Sequence, residues 1–302
     1  VINRHHLQII HTFNAKYTAL KNLFLRDISL NLNHKVDTCY IPLQLVPNFL
    51  SDMLIIKDKA ALICQFNERF TIQRYAEYHS DIRTIRYYQQ FYNDLKSKSI
   101  PIYTQYHLDH YEDIINFLKS KVCIEGCLYY ISPLPFPFNT DVKSLLRYTF
   151  NAQDTLQLWE SALKQGPVRH IYCIKDIENF VKIIQKNPEP EAQDLLKIFL
   201  KQISDLMHLV GKSSEFEIAL LQELPKTEGA SPIFLIKDNR YALGYKYEAL
   251  SGRFHALISE DSTAVFILFQ YYDEFWTNIP SIQKNKDWII NKLKAVFELS
   301  KE

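Results

Sequence analysis

The chain has 302 residues, 47% of them apolar and 14% aromatic, enough to bury one large core or two fused ones and too apolar for disorder. A formal charge of +1 supplies no basic field to neutralise a phosphate backbone, so this chain is not expected to hold nucleic acid by itself. Five cysteines without disulfide-rich spacing, no secretory signal in the opening residues and no apolar run of membrane-spanning length predict a cytoplasmic protein that stays out of the bilayer.

Residues 7–24 read as a helix. A strand at 36–42 and an apolar run at 53–56 follow, then 60–66 and 71–78, both rich in residues that suit a pleated surface. Residues 81–98 carry Ile82, Ile85, Tyr88, Tyr92 and Leu95 at helical spacing, and Ile100-Pro101 stops the helix. A connecting helix at 112–119 leads into a strand at 122–131. Ser132 to Phe138, with three prolines, reads as a connection packed between lobes rather than as a proline-rich ligand. Helices are expected at 141–150 and 154–164, the latter ended by Gly166-Pro167. A strand at 169–174 precedes helices at 177–185 and 191–210, the second closed by Gly211. Strands at 216–221, 233–236, 241–247 and 254–258, a helix at 262–277 and a C-terminal helix complete the chain.

The order from 36 to 101 recurs from 216 to 280. Residues 80–101 align without a gap on 259–280 with six identities, including Tyr92 with Tyr271 and Asp94 with Asp273, where roughly one or two are expected from ordinary residue usage. Upstream, Ile56-Lys57-Asp58 meets Ile236-Lys237-Asp238, and Leu43-Gln44 meets Leu221-Gln222. A duplicated unit of four strands and a helix is the simplest explanation. The expected fold is therefore α/β (α+β), with two similar sheet-and-helix lobes related by pseudo-twofold symmetry. The first, 1–121, comprises an N-terminal helix, repeat unit 37–101 and a connecting helix. The second, 122–302, comprises a helical insert at 140–210, repeat unit 216–280 and a C-terminal helix. Helix 7–24 then matches helix 191–210, so the strand and helix before the latter are expected to have counterparts upstream of Val1.

Two such lobes, each with an apolar strand running to an aspartate and a closing helix ending near Tyr271 to Trp276, resemble the phospholipase D-like fold. That family carries His-x-Lys-x-x-x-x-Asp once per lobe. The resemblance implies two histidines, one attacking phosphorus and one protonating the leaving group, with lysines on the phosphoryl oxygens. Here the first copy has Ser51, Met53 and Asp58 at those positions, and the second has Ser231, Ile233 and Asp238. Both aspartates are kept, whereas each histidine is replaced by serine and each lysine by an apolar residue. What the resemblance implies is a catalytically degenerate member with no cofactor and a candidate ligand cleft at Ser51, Met53, Asp58, Ser231, Ile233 and Asp238, suited to an uncharged or weakly polar effector.

The chain is also similar to the C-terminal regulatory region of helix-turn-helix transcription regulators. That similarity implies a ligand-sensing or dimerisation region, a homodimer, and contact with DNA only through an upstream domain. The rival reading is an enzyme, a divergent phosphodiesterase or nuclease with a rebuilt interlobe site. A third is a purely structural interaction partner with an exposed apolar patch.

His107, His110, Cys123 and Cys127 have zinc-type residue identities but the reverse order of a finger, and read as surface histidines and core thiols. Six glycines, none in a phosphate-cradling pattern, argue against kinases and dinucleotide enzymes. Tyr92 and Trp276 are read first as core.

Overall fold

The computed structural model describes residues 7–12, 36–41, 51–66, 73–108, 111–136, 138, 152–224, 233–248 and 253–300. Among these the chain is mixed α and β, and it divides into two compact units at Ile102/Tyr103.

In the first unit β1 (Leu7–Thr12) runs parallel to β2 (Val36–Ile41), and β6 (Ile100–Pro101) pairs antiparallel with β2. A separate antiparallel meander holds β3 (Ser51–Ile56), β4 (Ala60–Phe66) and β5 (Gln73–His79). Helix α1 (Ile82–Ser97) begins where the Asp81 side chain accepts from the Thr84 backbone N–H at 2.9 Å, satisfying one of the orphan donors of the first turn. Side chains alternate across a strand, so β3 directs Met53 and Ile55 to the α1 side, where they join Ala61, Ile63, Ile85 and Tyr88 in a small core.

The second unit is built on one seven-stranded sheet. Its order is β10 (Phe216–Leu221), β9 (Val168–Cys173), β8 (Leu128–Ile131), β11 (Ile233–Lys237), β12 (Tyr241–Glu248), β13 (Arg253–Ser259) and β7 (Thr104–Leu108). The first three strands are parallel and the rest antiparallel. One face packs into a single cluster with α2 (Tyr111–Val122), α3 (Ala152–Leu163), α4 (Ile174–Gln185), α5 (Pro190–Lys212) and α7 (Lys286–Leu299). The other face carries α6 (Ser262–Asn278), with Phe269 and Trp276 against Tyr129 and with Tyr272 against Phe234. Asp261 caps α6 by accepting from Thr263 and Ala264.

Most sequence-derived elements fall within a few residues of these, but five expectations change. Residues 7–12 form strand β1 rather than the start of a helix, and β1 lies parallel to β2 as β9 does to β10; the counterpart of the strand before α5 is thus present in the chain. The boundary between units moves from 121 to 102, because β7 hydrogen-bonds to β13 and α2 packs beside it through Tyr106 and Phe117, whose rings lie 5.4 Å apart. The strand expected at 122–131 starts only at Leu128, after a turn through Gly126 at φ 129°. Gly211 does not close α5, which continues to Lys212. Phe136 and Phe138 are fully buried in the core of the second unit itself, Phe136 against Trp159 and Tyr245, Phe138 against Phe180 and Phe199. The helix expected at 141–150 lies outside the described residues.

The repeated order of elements is real, but the gapless alignment is slipped. The helix caps Asp81 and Asp261 are 180 residues apart, as are the sheet-facing Ile85 and Val265. Counted from the caps, Tyr92 therefore matches Tyr272, not Tyr271, and Asp94 does not match Asp273.

Candidate functional site

The two aspartates singled out by the resemblance both adopt the left-handed backbone region, Asp58 at φ 56° and Asp238 at φ 40°. Aspartate tolerates that conformation better than most residues, and both sit in hairpin turns. Lys59 N–H donates to the Ile56 carbonyl at 3.0 Å and Arg240 N–H to that of Lys237 at 2.9 Å. Asp58 is thus third in its turn and Asp238 second. The pairs that open the turns, Ile56 with Ala60 and Lys237 with Tyr241, are 181 residues apart, so the two aspartates are not equivalent positions.

Ser51 opens β3 while Asp58 lies beyond its far end, and Ile233 opens β11 while Asp238 follows its last residue. At about 3.3 Å per residue, the two members in each unit stand about 15–25 Å apart along the strand. Met53 is half-buried in the first unit's core, Asp58 is exposed and Asp238 is half-buried; Ser231 lies outside the described residues.

The sequence offers Lys237, beside Asp238, no catalytic role, since alternation points it to the opposite face from its aspartate. Lys237 is fully buried, its Nζ donating to the Gly126 carbonyl at 2.6 Å, and burial lowers its pKa. Asp238 N–H donates to the Cys127 carbonyl at 2.9 Å, and Gly126 N–H to that of Gln165 at 2.9 Å. A Cβ at Gly166, where φ is 146°, would meet the Gly126 oxygen at 2.5 Å. Burial pushes the Cys127 thiol up to about 11, so it stays protonated and unreactive. A lysine ending an otherwise apolar strand was the available signal.

On the α6 face, Arg169 ties three parallel strands to the helix. Its Nε donates to Glu217 at 3.0 Å, and one terminal nitrogen reaches the Tyr129 hydroxyl at 2.5 Å and Asp273 at 3.3 Å. Its guanidinium also lies over the Tyr129 and Trp276 rings, at 5.5 and 5.4 Å. Tyr129 donates to Asp273 at 2.5 Å; burial first, then this bond, raises its pKa and keeps it a phenol. Trp276, 5% exposed, is core.

On the opposite face His170 is wholly buried, its Nδ1 2.5 Å from the Tyr172 hydroxyl, and burial lowers its pKa to about 3. A shallow cleft between α3 and α5, with room for about 10 Å³, is lined by Phe136, Thr155, Trp159, Gln202 and Asp205 among others; Gln202 Oε1 and Asp205 Oδ2 are buried without a hydrogen-bond partner among the described residues. Chemically, Cys127, Tyr129 and His170 are held neutral by burial, and the Arg169 guanidinium is paired with the Glu217 and Asp273 carboxylates. Such an arrangement braces a fold and can present hydrogen bonds. Among the described residues there is no group of three or more His, Cys, Asp or Glu able to hold a metal, and no helix long and apolar enough to cross a membrane.

No protein-family model and no curated protein matches the chain. Among solved structures it is similar to TrmBL2, an archaeal chromatin protein with a novel mode of DNA binding: TM-score 0.32, 8% identity, covering 71% of this chain and 75% of that one. It is also similar to phosphatidylserine synthase of Haemophilus influenzae Rd KW20: TM-score 0.37, 10% identity, covering 99% of this chain and 90% of that one. Likenesses this slight carry no argument about activity.

Proposed function

We propose that the chain is a non-catalytic regulatory module, the effector-sensing or dimerisation region of a cytoplasmic transcription regulator whose DNA-binding part lies upstream. The observation that supports it most is the environment of Met53. Where the resembled family places a lysine on the phosphoryl oxygens, β3 directs Met53 into the first unit's core against Ala61, Ile63 and Ile85. A residue packed there stabilises the fold and does not hold an anion. Ser51 and Ser231 are the proposed ligand contacts. Asp58 and Asp238 serve the turns.

The test is phosphodiester turnover together with ligand-induced stabilisation. With bis(4-nitrophenyl) phosphate as substrate, no hydrolysis is expected. A small uncharged effector should raise Tm in proportion to the logarithm of its concentration, and the Ser51→Ala and Ser231→Ala variants should weaken that shift. Turnover that disappears in either serine variant would establish the rival phosphodiesterase and overturn the proposal.

A further inference from the structure

Leu54, Leu62 and Tyr78 form a cross-strand row on the face of the β3–β4–β5 meander that turns away from α1. Leu54 is 53% exposed and Tyr78 68%, and Ile56 beside them is 52% exposed. Their register equivalents in the second unit are Leu235, Leu243 and Ile258, also a cross-strand row, and these are 0–2% exposed. There the row is part of one cluster with Ile115, Leu118 and Val122 of α2. Lys121 of the same helix pairs with Glu260 at 2.7 Å and lies over the Tyr241 ring.

The strand edges agree with the faces. In the second unit β8 lies between β9 and β11, joining the halves of the sheet, and β7 closes the edge of β13. Their counterparts β1, β3 and β5 have no strand on the corresponding edges among the described residues, and the first unit's strands accordingly form two separate sheets. One apolar face and three edges open among the described residues thus match one continuous piece of the second unit, β7–α2–β8. Open edges and an apolar face of this kind are completed by added strands and a packed helix.

We infer that the first unit docks a strand–helix–strand segment of the Thr104–Ile131 type, one strand on β5, the helix over Leu54, Leu62 and Tyr78, and the other strand between β1 and β3. In the second unit this segment precedes β9, the counterpart of β1, so the occupant is polypeptide N-terminal to β1 in the natural protein. The inference holds whether or not the module senses a ligand.

Hydrogen exchange of the 302-residue chain and of a longer polypeptide carrying the segment that the inference places ahead of β1 tests it. In the longer protein the amides of Ser51–Ile56 and Gln73–His79 should exchange on the order of 100-fold more slowly. Tyr78→Lys should lower Tm in the longer protein and leave that of the 302-residue chain unchanged, since Tyr78 is exposed there. Equal exchange in both proteins, or a natural polypeptide with no strand–helix–strand ahead of β1, would overturn the inference. Protection that grows with concentration in the 302-residue chain, together with a dimer by light scattering, would also overturn it by making a second copy the occupant.

Discussion

Lys237 Nζ donates to the backbone carbonyl of Gly126 at 2.6 Å, and the lysine side chain is wholly withdrawn from solvent. Gly126 is in turn held against Gly166, where a Cβ would approach its oxygen to 2.5 Å. Gly166→Ala should therefore destabilise by at least about 2 kcal/mol, from the positive φ and the contact with backbone together. Lys237→Ala should cost on the order of 2–4 kcal/mol, and Lys237→Met clearly less, since it restores the packing and removes a buried charge. Urea denaturation of the three variants checks the ranking. Equal losses for Lys237→Ala and Lys237→Met would make the ammonium, not its stem, the stabilising part.

His170 gives the fold an acid-sensitive element. Its folded pKa, about 3, lies below the unfolded value near 6.5, so between these the unfolded chain binds the extra proton. The contribution is constant above pH 6.5 and is lost as pH falls toward 3, at up to about 1.4 kcal/mol per pH unit. Unfolding free energies measured from pH 7 to 4 should show this slope, and His170→Phe should flatten it. An unchanged slope in that variant would assign the acid sensitivity to carboxylates instead.

Arg169 links β8, β9, β10 and α6 through Tyr129, Glu217 and Asp273. Arg169→Ala should cost on the order of 2–3 kcal/mol, because it leaves the Glu217 and Asp273 carboxylates without their cation while removing the cation over Trp276. Arg169→Lys should recover only part, as an ammonium cannot reproduce the planar fork. Glu217→Gln, at a carboxylate 40% exposed, should cost under about 1 kcal/mol. Thermal unfolding of the three variants distinguishes a brace from a surface pair.

Met53→Lys places a lysine at the strand position where the resembled family carries one. Because Met53 packs against Ala61, Ile63 and Ile85, the variant should lose about 1–3 kcal/mol of stability and gain no phosphate affinity. Calorimetric titration with inorganic phosphate reads the second half directly. Binding that appears in the variant alone would show the position to face a site rather than the core.

The sequence by itself determined the strands and helices of both repeats, because alternation and helical spacing are local and the caps and stops, Asp81, Asp261 and Ile100-Pro101, act within a turn. Tertiary structure decided what locality cannot. Residues 7–12 became a strand by pairing with β2, and β7 joined the second unit by pairing with β13, both through hydrogen bonds to distant segments. Register between the repeats was settled by cross-strand pairs, which moved Asp58 and Asp238 out of equivalence, and by the helix caps, which moved Tyr92 onto Tyr272. The burial of Lys237 and the exposure of Leu54 and Tyr78 follow from whether a helix lies over that face. Identical alternation patterns are compatible with either outcome, since a strand's residues specify a face and not what covers it.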